Sequence, residues 1–542
     1  MVQRMQRFYP RQALRAVPLA ALLWAGGEAR ADPLLTSWFT TYSAKYARVQ
    51  QTNGGALVAT WPSSGLPNNN SSTASQTNPV YSDVQRIRYS LSNVYINAGG
   101  VASYTMGPWY GNAAQTQVWG FWPLSQNYTS RITRFPTTNG TKERHGGGPI
   151  GTMVNGVAIY DLGDAFGFVQ SANTPVVTGN DVMGQTAATN PWWRNALAVE
   201  QVTFDPGFAH QPGLNGQYHY HAEPKALRYQ LGDNMLVTTN PTSKAVAYVE
   251  NLANTNLQHS PILGWCFDGY PIYGPYGYSV TNNPSSPISR MRTGFVLRDG
   301  SYGTTNLNTS GRKTLPKWAA IAEGVANPTG TNPLTLSNSA WGPSTSYATT
   351  NGPPGNTTIN YYTLGRYVGD FDYLGDLIKS GSERYQQGVD FDLDQYNGRW
   401  CVTPEYPGGI YAYFVTMDTN GTPVFPYMLS KQYFGIKNGE INTNVPSSGV
   451  TNYFSGGPNT QEVMQAPVLG GGDVTLVWSS VEGGTYQVQA SRSLSSNWTN
   501  LSTNFPAAAN AITTSYVETN AAGSYPQSFY RVGRTALAPY SP

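Results

Sequence analysis

Residues 217–221 read Gln217-Tyr218-His219-Tyr220-His221. The pattern repeats every second residue, which is the period of a β-strand, where successive side chains leave opposite faces. On a strand, His219 and His221 therefore point one way and Tyr218 and Tyr220 the other. At the strand rise the two imidazoles start about 6.6 Å apart, close enough to close on one metal ion. Working outward, all five histidines of the 542-residue chain (His145, His210, His219, His221 and His259) fall between positions 145 and 259. Histidine used so sparingly and gathered so tightly predicts a site.

The same reading extends along the chain. From about 85 to 437, short aromatic and β-branched runs alternate with Gly, Pro and Asn turns, as in Ser92-Asn93-Val94-Tyr95-Ile96, Gly156-Val157-Ala158-Ile159-Tyr160 and Tyr411-Ala412-Tyr413-Phe414-Val415. Helical patterns are few; Lys317–Glu323 and Tyr373–Ser380 are the candidates, and both are short. The Thr/Asn/Gly/Pro-rich passage near 326–360 reads as a surface excursion. Residues 438–470 read as a linker. Beyond it Val474, Leu476 and Trp478, then Tyr486, Val488 and Ala490, alternate with polar residues, which predicts a small antiparallel β-sandwich over 471–542. The expected fold class is thus mainly β: a large central domain over 85–437 with few short helices, an N-terminal segment over 32–84 packed on it, and the C-terminal sandwich.

The first 31 residues read as an export signal. Arg4, Arg7, Arg11 and Arg15 precede the apolar run Ala16–Ala25, and Ala29-Arg30-Ala31 is a small-residue cleavage site before Asp32. The apolar run is too short to span a bilayer, so the expectation is an exported, periplasmic or secreted protein without a transmembrane segment. The signal holds five Arg and one Glu, so its removal takes the formal net charge from +3 to −1. No Lys/Arg cluster survives, which argues against nucleic acid as a partner. Cys266 and Cys401 reach an oxidising compartment either as a disulfide or as two buried thiols.

Four further stretches carry a resemblance. Phe204-Asp205-Pro206-Gly207-Phe208-Ala209-His210 with 216–221, His259–Gly274, Val154–Tyr160, and Cys401–Pro407 with Pro423–Tyr427 strongly resemble the YHYH-domain family of exported bacterial proteins. Relatives often carry Cys where Gly207 stands, so a thiolate ligand there is lost. The resemblance implies a domain and names no reaction. The segment from Trp478 through Thr485–Gln489, Trp498-Thr499 and Phe529–Val532 resembles the fibronectin-III-like C-terminal modules of Verrucomicrobia-type secreted proteins, which implies a part in contacting glycans or the cell surface.

The candidate metal ligands are His210, His219, His221 and His259. Glu200, Asp205 and Asp268 are candidates to supply a further ligand or to hold an imidazole in one tautomer. Several imidazoles and a carboxylate suit Cu(II) or Zn(II), with copper first on the Irving–Williams order. Ordinary imidazoles would release such an ion as the pH falls through about 6.5. Calcium is a further expectation, from Asp390-Phe391-Asp392-Leu393-Asp394 with Asp370, Asp372 and Asp376 upstream, although Gln395 and Cys401 stand where an EF-hand needs Gly and Glu. Arg144-His145-Gly146-Gly147-Gly148 has the look of an oxyanion loop facing an anionic substrate, without a Gly-x-Ser-x-Gly partner. Three classes stay open: a metal-binding protein, redox-active or not; a His/Asp hydrolase with or without metal; and an adhesion or glycan-binding protein. An aromatic strand whose histidines merely hydrogen-bond to backbone and tyrosine is the alternative to any site.

Overall fold

Runs such as Ile262-Leu263-Gly264-Trp265-Cys266 and Ile410-Tyr411-Ala412-Tyr413-Phe414 have no polar alternation, the pattern of a strand buried on both faces. Both are wholly buried and lie in one seven-stranded sheet. A computed structural model of the chain describes residues 33–61, 75–138, 140–172, 177–184, 191–213, 215–327, 329–349, 360–493 and 497–537. The expected signal and the polar run 68–73 lie outside these residues.

Across the seven-stranded sheet the order is His219–Tyr220, Ala158–Tyr160, Pro149–Met153, Ile262–Cys266, Pro271–Tyr273, Ile410–Phe414 and Gly398–Cys401. Two pairings are parallel, His219–Tyr220 on Ala158–Tyr160 and Pro271–Tyr273 on Ile410–Phe414. Met153, Ile159, Leu263, Trp265, Ile272 and Tyr413 fill the main core, and Trp38, Val49 and Trp61 of the N-terminal segment pack into it. The molecule is mainly β, as the residue periods predict. Lys317–Glu323 is the expected helix. Tyr373–Ser380 is not helical: Phe371–Tyr373 pairs with Phe295–Leu297, a single 3-10 turn follows, and Ile378–Ser380 pairs with Glu383–Arg384. Tertiary pairing overrides local preference there.

A three-stranded sheet (Trp193–Asn195, Gly163–Ala172, Thr178–Met183) leads directly into the short helix Ala196–Glu200 and the 3-10 turn Gln201–Thr203. A four-stranded sheet combines Val84–Tyr89, Asn93–Ala98 and Tyr128–Thr133 with Thr451–Ser455, so part of the stretch read as a linker is an edge strand of the central body. At the C-terminus two three-stranded antiparallel sheets face each other across Leu476, Trp478, Tyr486 and Val488, with the Trp478 and Tyr486 rings 5.5 Å apart.

The two cysteines are free and buried. Two strands separate theirs in the seven-stranded sheet, which sets them roughly 14 Å apart at the usual interstrand spacing and beyond the reach of a disulfide. Among the described residues, the acidic runs do not come together as a metal-holding group. Asp390 pairs with Lys379 at 2.7 Å, Asp392 with Arg292 at 3.0 Å, and Asp370 with Arg312 at 2.7 Å. Asp394 accepts from the Tyr411 hydroxyl and the Tyr396 N–H, both at 2.9 Å, and Asp376 pairs with Lys317 at 3.3 Å. Asp372 accepts the Tyr373 N–H at 3.0 Å, so each carboxylate is spent on a cation or a turn.

Glu482 fastens the C-terminal module to the N-terminal segment. Its carboxylate accepts the backbone N–H groups of Tyr46 and Asn510, each at 2.8 Å, and pairs with Arg48. Both partners are largely buried, so removing one strands the other. Glu482→Ala is therefore expected to cost about 3 kcal/mol and to split a single thermal transition into two, with the module melting first in calorimetry. A single transition shifted by less than a degree would show the contact to be incidental.

Candidate metal centre

His219 lies in its strand between two neighbours. On one side it pairs with Ala158; on the other, His210 and His219 exchange N–H···O=C bonds of 3.2 and 2.9 Å. Strand alternation then does what the sequence predicts. Tyr218 and Tyr220 enter the core with no exposed surface, and His219 and His221 leave by the opposite face.

The imidazole nitrogens of His210, His219 and His221 all come within 4.8 Å of one another, and all three residues are buried. Each Nδ1 is engaged behind the cluster. His219 Nδ1 donates to the Gln217 carbonyl at 2.8 Å, and His221 Nδ1 to the Asp161 carbonyl at 2.6 Å. His210 Nδ1 meets Thr203 Oγ1 at 2.7 Å, and that hydroxyl already donates to the Glu200 carbonyl at 2.7 Å, so it must accept from the ring. Carbonyl oxygens can only accept, which fixes the proton on Nδ1 and leaves every Nε2 with a lone pair. His219 Nε2 and His221 Nε2 stand 3.0 Å apart. Two lone pairs at that separation repel unless a cation lies between them, so the donor set fits a metal ion.

Glu200 stands beside the three rings. Its Oε2 lies 3.4 Å from His221 Nε2 and 3.7 Å from His210 Nε2 and has no hydrogen-bond partner among the described residues. Burial, reinforced by the charge of Asp164 and opposed by Arg194, pushes its carboxyl up to about 8. Burial also holds the His221 ring down at about 4, and it places His210 and His219 well below the ordinary imidazole range, each further depressed by neighbouring histidines. The rings are therefore neutral at pH 7 and ready to coordinate.

The other candidates lie elsewhere. The half-buried His259 packs against Tyr273, Tyr278 and Phe414, with centroids 5.2, 5.0 and 6.3 Å away, and its Nδ1 donates to the Ser260 carbonyl. Asp205 serves the tyrosine face: it accepts from Tyr218 Oη at 2.7 Å and from the N–H of Gly107 at 2.8 Å. Asp268 accepts from Tyr413 Oη and Gly435 N–H. Gly207 has no room for a thiol, because a Cβ there would lie 2.7 Å from the Tyr104 ring. Arg144 and His145 do not line the cleft; His145 is buried and Arg144 donates to the Glu323 carbonyl, while Gly146, Gly147 and Gly148 line it. The orienting roles of Thr203, Asp161 and Gln217 have no sequence signature, since two act through a carbonyl that any residue carries.

The cluster opens on a cleft of about 1030 Å³. Trp119, Phe121, Phe166 and Val202 form much of its apolar wall, and Glu200, His210, His219 and His221 face it together.

Fold and site together define a mainly β protein with a buried three-histidine cluster, able to hold a metal ion, at the edge of a cleft. A family model described as "YHYH protein" matches residues 129–426, more than half of the chain, and the chain belongs to that family. No curated protein and no solved structure matches it. Among the described residues, no helix is long and apolar enough to cross a membrane.

The charge states give a test. Metal uptake at pH 7 is expected to release close to one proton, from Glu200, because the three rings carry none to lose. Glu200→Gln should abolish that release in a weakly buffered titration. Because the rings protonate only well below their ordinary range, the ion should stay bound at pH 5.5 and leave as the pH falls toward about 4. Loss of metal centred near pH 6.5 would mean that the rings titrate as free imidazoles.

Proposed function

We propose that the chain is an exported protein that holds one transition-metal ion, copper in preference to zinc, through the Nε2 atoms of His210, His219 and His221, with Glu200 as a fourth donor. The observation that carries this reading is the set of three Nδ1 hydrogen bonds, which leaves three Nε2 lone pairs converging beside the Glu200 carboxyl. Copper is put first because imidazole donors with a carboxylate follow the Irving–Williams order, in which Cu(II) binds more tightly than Zn(II). Structural metal sites are closed, whereas sites that act on a ligand keep a position open, and the cleft supports the second kind. A bound Cu(II) would supply one-electron chemistry; the chain's own contribution is to orient the donors, hold them neutral and wall the site with aromatic side chains. Export rests on the residue pattern of 1–31.

A second reading, a metal-assisted hydrolase, draws on Glu200. A carboxyl pushed up to about 8 on the cleft side is suited to exchanging a proton near neutral pH.

The deciding experiment offers equimolar Cu(II) and Zn(II) to untagged protein, followed by elemental analysis and electron paramagnetic resonance. About one copper per chain with a tetragonal signal is expected. His219→Ala/His221→Ala should lose that metal, dropping occupancy at least tenfold, while the C-terminal module still melts as in the parent. Stoichiometric zinc in place of copper would favour the hydrolase. A wild type that takes up neither ion would return the histidines to a structural role.

A further inference from the structure

The cleft in front of the histidine cluster has a chemistry of its own. Trp119 and Phe121 meet edge to face there, with centroids 4.9 Å apart and planes at 85°, and make an aromatic corner. Phe166 and Val202 extend the apolar wall, and all four side chains keep part of their surface uncovered. Tyr160 lies flat on His219, centroids 3.8 Å apart, and carries the aromatic surface up to the cluster. The Gly146–Gly148 loop adds no side chain to this space, and a Cβ on Gly146 or Gly148 would meet no atom within 4 Å. The Asp161 N–H donates to the Gly148 carbonyl at 3.1 Å while the Asp161 carbonyl accepts from His221, so the bare loop borders the cluster.

The polar groups on the wall narrow what the space can hold. Arg194 lies over the Phe166 ring at 4.1 Å, pairs with Asp164 and stands 3.6 Å from Asp181. Its charge is already met, so an anionic ligand would have to displace a carboxylate. An ammonium would have to compete with the metal ion for Glu200. Gln211 is the polar group left over. It is 1% exposed, its Nε2 donates to the Phe121 carbonyl at 2.7 Å, and its Oε1 has no hydrogen-bond partner among the described residues. An amide oxygen can only accept, so it calls for a donor, and Gln211 lines the cleft from which one can come.

We propose that the cleft binds an uncharged phenol, with its aromatic body against the Trp119–Phe121 corner and its hydroxyl turned to Gln211 and the histidine cluster. The proposal deepens the metal-centre reading and rests on it for the hydroxyl's contact with the cluster. Aromatic groups prefer edge-to-face and offset contacts, which the corner offers to a further ring. A phenol keeps its proton at pH 7, so it can donate to Gln211 Oε1. A sugar also stacks on aromatic side chains, but each of its hydroxyls needs a partner, and this wall is mostly apolar.

The test is isothermal titration calorimetry of the full chain, metal-free and copper-loaded, with para-phenylphenol as the probe. Saturable binding to the metal-free protein is expected. It should be several-fold weaker for para-methylbiphenyl, which lacks the hydroxyl, and about tenfold weaker for biphenyl-para-carboxylate. Gly146 does not have a positive φ, so Gly146→Phe can place a ring in the open space without backbone strain. That variant should bind the phenol about tenfold more weakly, with metal content and melting temperature unchanged. Gln211→Leu should remove the preference for the phenol over its methyl analogue. A wild type without saturable phenol binding, tighter binding of the carboxylate, or a Gly146→Phe protein that binds as wild type overturns the proposal. Phenol binding by a protein that takes up no metal would uphold the cleft while retiring the metal reading, so the two fail separately. On copper-loaded protein the phenol should shift the electron paramagnetic resonance signal; an unchanged signal with phenol bound overturns the placement of the hydroxyl at the cluster.

Discussion

Three hydrogen bonds made by Nδ1 atoms set the character of this molecule. They run to the Asp161 carbonyl, the Gln217 carbonyl and Thr203 Oγ1, and each comes from a different part of the fold. Asp161 follows the Ala158–Tyr160 strand, Gln217 enters the His219–Tyr220 strand, and Thr203 ends the 3-10 turn after Ala196–Glu200. If any of these elements shifts, a ring can rotate or change tautomer and the convergence of lone pairs is lost. The seven-stranded sheet thus serves the cluster chiefly by fixing carbonyl positions.

The strand that presents the histidines has a second, equally ordered face. Tyr104 Oη is hydrogen-bonded to Tyr218 Oη at 2.9 Å and also to Tyr220 Oη, and Tyr218 donates to Asp205. These side chains are buried, so their hydroxyls need partners, and the network supplies them. Rigid packing on the tyrosine face keeps His219 and His221 from trading faces with their neighbours, because a one-residue slip would expel two tyrosines from the core and bury two imidazoles in it.

Much of this was legible in the residue order, and the failures have a common cause. The period-2 runs predict a mainly β fold, and the alternation at 218–221 separates two faces correctly. His210 and Glu200 were recognisable as candidates because they are chemically apt and close in sequence. His259 is just as apt but follows a different strand path, and the chain carries it to an aromatic niche. Cys266 and Cys401 were ambiguous until sheet order placed two strands between them. The aspartates near 390 have the composition of a calcium loop, yet each meets its own partner, which only tertiary structure assigns. Local pattern reports which face a side chain takes; it does not report which distant carbonyl will be waiting there.

The edge strand Thr451–Ser455 has a consequence for biogenesis. It pairs with Val84–Tyr89, which is synthesised early, whereas its own residues come late. Until then the early strand presents open N–H and C=O groups, a template for pairing with another chain. Contacts of such sequence separation are slow to form, so the nascent protein needs shielding for most of its translation. A message truncated before codon 451 would accordingly encode an aggregation-prone polypeptide, even though every residue of the histidine cluster had already been made.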